Sequence, residues 1–210
     1  CAGWLSWSCS AMREMLYESA LPRLACAALG AESVTFWRDE AHYKIPRMTT
    51  NATPWHHDIA GIPFKGRDIV TIWISLAPIS ECTGPLRTIS KSHLDMTRRY
   101  RPPSRSVAAD DDGSLYLDMP DFDHLIDIGD MQAETWVMET GDGLIFDSHT
   151  VHCSLPNSSQ DPRIAYATRW IGADAHYEPD VYSVTDPAIS IESLSNGRPS
   201  GADFKVFSLA

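Results

Sequence analysis

The chain has 210 residues, of which 43% are hydrophobic and 21% charged, enough apolar material for one compact domain spanning 1–210. Seventeen Lys and Arg against 28 Asp and Glu leave a formal charge of −11, and the basic residues are scattered apart from Arg98-Arg99-Tyr100-Arg101, which argues against a nucleic-acid or anionic-membrane surface. No uncharged apolar run approaches the roughly 18 residues of a membrane span, the start lacks the pattern of a signal peptide, and five dispersed cysteines without a C-x-x-C suggest reduced thiols, so the expected setting is cytoplasmic.

In chain order, Cys1 stands where a methionine would open a protein, and an element already under way at Trp4 and Trp7 fits an N-terminus that is incomplete. Residues 10–29 carry Met12, Met15, Leu16, Leu21, Leu24 and Leu29 near helical spacing, with Gly30 suited to end the helix. From Ser33 the period changes. β-Branched and aromatic runs at 34–37, 69–76, 135–138, 144–146 and 164–170 are bounded by Gly, Pro, Asn and Asp, as in a jelly roll, and they do not alternate with helices as a doubly wound sheet requires. Residues 95–133, with the arginine cluster, Pro102-Pro103 and two acidic patches, form a long insertion, expected to be a surface loop or an active-site lid. The tail from Gly172 to Ala210 is turn-rich and expected to wrap the body.

The chemistry concentrates at Thr53-Pro54-Trp55-His56-His57-Asp58. In extended chain, residues i and i+2 face one side, so His56 and Asp58 present an imidazole and a carboxylate together while His57 faces away. Two histidines and one carboxylate on one face of a metal suit non-haem Fe(II), with positions left open for an organic co-substrate and O2. The third ligand is then His149 or His152, which on a strand face opposite ways. Folding the chain about the turn at 156–162 sets position 152 opposite Arg163, and that pairing favours His152. An arginine aimed at the same cavity is a natural bidentate partner for the far carboxylate of a chelating keto acid.

Three blocks carry a resemblance. His56-His57-Asp58, the stretch Thr71-Ile72-Trp73-Ile74-Ser75-Leu76 with Thr83-Gly84-Pro85-Leu86-Arg87 and Ser92-His93, and His152-Cys153-Ser154-Leu155-Pro156-Asn157 with Arg163 resemble the phytanoyl-CoA dioxygenase family. The resemblance implies a mainly β, cupin-like jelly roll (double-stranded β-helix) with a flanking N-terminal helix, using Fe(II), 2-oxoglutarate and O2. It implies His56, Asp58 and His152 as iron ligands, Arg163 as the clamp for 2-oxoglutarate, Ser154 as a hydroxyl assisting that carboxylate, and Trp73 as an aromatic beside it. His57 stands where the family commonly has glutamine, and Lys44 lies on a strand resembling the family's Lys-Pro segment. Related halogenases replace the carboxylate ligand with a small residue, so Asp58 favours hydroxylation, with release of succinate and CO2.

The acceptor expected is a small molecule, without nucleic acid or membrane as partner. Two other classes remain: a jelly-roll protein that keeps a metal site for binding or regulation, and a zinc hydrolase, which leaves the arginine clamp unexplained. His42, His124 and His176 read as structural or surface histidines, His93 as loop support, and Trp55 as core. Cys153, next to a ligand, is a target for oxidation rather than a catalytic group. The arginines at 98, 99 and 101 read most simply as a solvated loop.

Overall fold

A computed structural model describes residues 2–103, 108, 110, 111, 113, 115–184, 194, 195, 198, 199 and 206–208. The chain begins with the short strand β1 (Ala2–Gly3) and helices α1 (Leu5–Ser8), α2 (Ser10–Glu18) and α3 (Leu21–Leu29). The single helix expected over 10–29 is therefore two. The backbone leaves the helical region at Ser19, whose hydroxyl accepts from the Leu21 N–H (3.1 Å), and Pro22 in the first turn of α3 has no N–H with which to continue α2. Gly30 closes α3 in the left-handed region, as its position suggests.

Strands follow: β2 (Ser33–Lys44), β3 (Thr53–His56), β4 (Phe64–Lys65), β5 (Ile69–Ser75), β6 (Leu86–Ile89), β7 (Ala133–Trp136), β8 (Gly143–Asp147), β9 (His152–Ser154), β10 (Arg163–Ile171), β11 (His176–Tyr177), β12 (Leu194–Ser195), β13 (Arg198–Pro199) and β14 (Val206–Ser208), with helix α4 (Phe122–Asp127) inside the insertion. Two antiparallel sheets build the body. The larger runs β1-β2-β10-β5-β8, with β14 added to β2, and the smaller runs β3-β9-β6-β7. They are the two walls of a mainly β, cupin-like jelly roll.

One expected pairing does not form. Position 152 is not opposite Arg163 in a hairpin: β9 pairs with β3 and β6, β10 pairs with β2 and β5, and the turn at 156–162 crosses from one sheet to the other. Asn157 holds that crossover. Fully buried, it donates through Nδ2 to the carbonyls of Lys44 (3.2 Å) and Asp161 (2.8 Å) and accepts from the Ser159 N–H and hydroxyl. Gly84 shapes the facing turn: at φ +85, an added Cβ would meet the Leu155 carbonyl oxygen at 2.7 Å, so a side chain is excluded.

The larger sheet has two unlike faces. Its outer face packs under α2 and α3 through Leu16, Leu21, Ala25, Phe36, Ile72 and Trp170, an apolar layer. Its inner face lines the barrel. A β-bulge in β2 sets which residues of that strand go where: Arg38 pairs with Arg169 but Phe36 pairs with Trp170, leaving Trp37 as the extra residue. Before the bulge Val34 and Phe36 face the helices; after it Arg38, Glu40 and His42 face the interior. Asp39, on the helix side, accepts from the Ser6 N–H (2.8 Å) and the Tyr166 hydroxyl (2.7 Å).

The described parts of the 95–133 insertion are packed. Tyr100 and Phe122 join Trp55, Ile89 and Val151 over the outer face of the smaller sheet, while Pro102 and Pro103 reach the barrel mouth. In the tail, Val184 N–H bonds to the Gly61 carbonyl, Tyr182 is buried against Tyr116, and β14 extends the larger sheet; residues 185–193, 196, 197, 200–205, 209 and 210 of the expected wrap lie outside the described residues.

Candidate metal and co-substrate site

His56 ends β3 and His152 begins β9, and the two residues are directly paired across the strands. Their rings lie 4.2 Å apart between centroids. Asp58 follows two residues after His56, where a 3-10 turn (Asp58–Ala60) starts, so the alternation seen in the sequence carries its carboxylate to the same side. One ligand atom from each of His56, Asp58 and His152 lies within 4.8 Å of the others. His149 is turned away: its Nδ1 and backbone N–H both bond to Asp147 Oδ1, at 2.8 and 2.7 Å.

Both histidines are oriented in the same manner. Nδ1 of His56 donates to the Pro54 carbonyl and Nδ1 of His152 to the Thr150 carbonyl, each at 2.9 Å and each two residues back. That assignment puts the proton on Nδ1 and leaves each Nε2 lone pair for a metal. Burial, reinforced by the neighbouring His56, lowers the His152 pKa to about 3, so it is a neutral ligand at physiological pH. Burial alone would raise the Asp58 pKa, but Arg169 and the two histidines outweigh it and hold the carboxylate ionised well below its usual range. Two neutral imidazoles and one carboxylate are the donor set that suits Fe(II) with open positions.

Beside these three groups, the same cavity is lined by Trp73, Ser154, Arg163 and His42. Arg163 is 3% exposed, its Cζ sits 5.3 Å from the centre of the Trp73 ring, and its Nε has no hydrogen-bond partner among the described residues. Burial lowers its pKa to about 10, the mark of a desolvated cation. A buried guanidinium donor facing a cavity is what a carboxylate-bearing co-substrate requires, so the residues fit 2-oxoglutarate as well as the metal. Ser154 donates to the Thr53 hydroxyl (2.9 Å) on the same wall.

Two sequence candidates are placed elsewhere. His57 faces the insertion: its Nε2 accepts from the Tyr100 N–H (3.0 Å), and burial lowers its pKa to about 4. Lys44 is buried, with Nζ donating to the carbonyls of Asn51 (2.5 Å) and Leu155 (2.8 Å), which ties β2 to both loops at the closed end of the cavity. The Cys153 thiol is pushed up to about 12 by burial, which suppresses thiolate chemistry.

Sequence reasoning missed a charged ladder on the inner face. Asp58 Oδ2 accepts from the Thr71 hydroxyl (3.0 Å) and from Arg169 Nε (3.3 Å); Arg169 Nη1 bonds to Glu40 Oε2 (2.8 Å), and Glu40 Oε1 to Arg38 Nη2 (2.7 Å). Part of it was available: Arg169 shares the parity of Arg163 on one strand, and Thr71 that of Trp73. The share of β2 was hidden by the bulge. From the ladder outward, the mouth is walled by Trp37, Pro54, Ile62, Pro102, Pro103 and Val184.

A jelly roll in which a His-x-Asp pair faces a second histidine is the layout of the non-haem iron oxygenases that use 2-oxoglutarate. Solved structures agree in fold. The chain is similar to SnoK, a non-haem α-ketoglutarate-dependent carbocyclase from nogalamycin biosynthesis, with 21% identity and a TM-score of 0.75 over 99% of this chain and 75% of that one. It is also similar to the nogalamycin epimerase SnoN in complex with Fe3+, α-ketoglutarate and nogalamycin RO (20% identity, TM-score 0.74, 98% of this chain and 77% of that one). EctD from S. alaskensis, with 2-oxoglutarate and 5-hydroxyectoine, matches at 18% identity and a TM-score of 0.68 over 96% of this chain and 64% of that one. No curated protein sequence matches the chain significantly. The family model for phytanoyl-CoA dioxygenase matches residues 8–165, three quarters of the chain, and the protein belongs to that family. It is thus a non-haem Fe(II)/2-oxoglutarate-dependent oxygenase, of a family that works with Fe(II), 2-oxoglutarate and O2. No helix among the described residues is long and apolar enough to cross a membrane.

Proposed function

We propose that the protein hydroxylates a small organic molecule, with His56, Asp58 and His152 holding Fe(II) and Arg163 binding the distal carboxylate of 2-oxoglutarate. The observation that carries this reading is the buried Arg163, without a partner for Nε among the described residues, in one cavity with three converging metal-ligand groups. When bound, the iron and its co-substrate supply the oxidative chemistry, with decarboxylation of 2-oxoglutarate to succinate and CO2. The protein's own share is placement. His56 and His152 offer Nε2, Asp58 offers an ionised carboxylate, and Trp73 backs the guanidinium of Arg163 while Ser154 adds a hydroxyl on the facing wall. The mouth, walled by Trp37, Ile62 and the two prolines with Arg38 and Glu40 beside them, suits an acceptor that joins an apolar body to polar groups. A retained carboxylate ligand supports hydroxylation as the outcome, whereas SnoK and SnoN are described as a carbocyclase and an epimerase.

The test is anaerobic titration of metal-free protein with Fe(II) and then 2-oxoglutarate, following the weak visible charge-transfer band of a chelated keto acid. The band is expected with wild type and weakened in Arg163→Ala. Fe(II) binding without a band would instead favour a metal-retaining binding protein. With candidate acceptors and O2, succinate release should accompany a product one oxygen atom heavier; succinate release with an isomerised or dehydrogenated product would replace hydroxylation by another oxidative outcome.

A further inference from the structure

The carboxylate of Asp58 is held asymmetrically. Oδ2 accepts from the Thr71 hydroxyl at 3.0 Å, and Nε and Nη2 of Arg169 approach it at 3.3 Å each, while Oδ1 faces Nε2 of His152 at 4.0 Å. Thr71 on β5 and Arg169 on β10 are cross-strand partners, so both donors come from adjacent positions of the larger sheet and reach Asp58 from the side opposite its histidine partners. A carboxylate with two free oxygens can take two positions on a metal; one whose second oxygen is saturated by donors can give only one. An unbalanced guanidinium at that distance would also repel a dication. Glu40 removes the imbalance by bonding Arg169 Nη1 at 2.8 Å, and Arg38 extends the alternation to the mouth. Arg169 lies beyond the stretch matched by the family model.

We propose that Arg169 is a positioning residue for the metal centre: with Thr71 it occupies Asp58 Oδ2, so that Asp58 binds the metal through Oδ1 alone and the coordination position a second oxygen would take stays open for the co-substrate. The inference deepens the reading of His56, Asp58 and His152 as the metal site and rests on it. A planar guanidinium bonds Asp58 and Glu40 at once from a fixed fork, which a lysine ammonium does not reproduce.

Co(II) titration of metal-free protein tests it, because visible Co(II) absorption falls in intensity as the coordination number rises. Wild type should bind one Co(II). Arg169→Met frees Oδ2 and removes a cation, so it should bind Co(II) roughly tenfold more tightly, with a weaker visible spectrum per metal and a roughly tenfold weaker affinity for 2-oxoglutarate. Thr71→Val should move the spectrum the same way by less, and Arg169→Lys should recover only part of the wild-type spectrum. If Arg169→Met does not fold, Glu40→Met/Arg169→Met removes both buried charges together, and its spectrum is the readout. A wild-type spectrum in the folded Arg169 variants would overturn the proposal, as would looser Co(II) binding with an unchanged spectrum, the pattern of a merely structural ion pair. Failure of wild type to bind Co(II) one to one would overturn the metal-site reading itself, and this inference with it.

Discussion

The two faces of β10 divide the protein's work. Trp170 and Tyr166 point out into the layer under α2 and α3 and are fully buried among Phe36, Ile72 and Leu21. Arg163 and Arg169 point in and spend their burial on charge. The outer face gains stability from apolar area removed from water, with Asp39 as its buried carboxylate, bonded through Oδ2 alone. The inner face keeps a guanidinium whose Nε lacks a partner among the described residues, a costly arrangement that a stability optimum would remove. Function therefore sits where the strand's two-residue alternation turns away from the helices.

That division can be broken from either side. The largest expected effect on activity is from His152→Ala or Asp58→Ala, which should reduce succinate formation to background and abolish stoichiometric Fe(II) binding; Asp58→Ala, which leaves Arg169 with Glu40 alone, should also lower the urea midpoint of the metal-free protein. The largest effect on stability should come from the other face: Trp170→Ala should cost about 3–5 kcal/mol in urea unfolding, while the protein that remains folded keeps its Fe(II) and 2-oxoglutarate affinities. Arg163→Met sharpens the contrast, because the two properties should move oppositely. Losing the charged partner should weaken 2-oxoglutarate binding by about 2–5 kcal/mol, while the metal-free protein melts at the same or a higher temperature, relieved of a desolvated cation.

A further effect is on pH dependence. Burial lowers His42 and His57 to about 4 and His152 to about 3, below the roughly 6.5 of an unfolded histidine. Between those limits the unfolded chain binds more protons than the folded one, so stability is fully present above about pH 6.5 and falls as pH is lowered toward 4. Urea midpoints of the metal-free protein across that window should show the loss, and His57→Asn, which keeps an acceptor for the Tyr100 N–H, should reduce its steepness.

Much of this organisation was readable from residues alone, for physical reasons. The strand runs announced themselves through β-branched and aromatic content, and the spacing of His56 and Asp58 contained their shared direction. The break at Ser19 depended on a hydroxyl bonding back to Leu21, which helical spacing does not encode. Arg163 was found for the wrong local reason: the turn at 156–162 looked like a hairpin, yet Asn157 makes it a crossing between sheets, and His152 and Arg163 meet across a cavity rather than across a ladder. Arg169, Thr71 and Glu40 form one unit only after β2, β5 and β10 are side by side, which is long-range information.

The bulge at Trp37 decides which of the alternating residues of β2 enter the barrel. With its length unchanged but no bulge, β2 would turn Asp39, Ala41 and Tyr43 into the barrel in place of Glu40 and His42, whereas deleting Trp37 would set Phe36 and Arg38 in unbroken register with Trp170 and Arg169 and keep Glu40 inside. A gap of one at Trp37 in an alignment therefore marks a relative that keeps this facing on a straight strand.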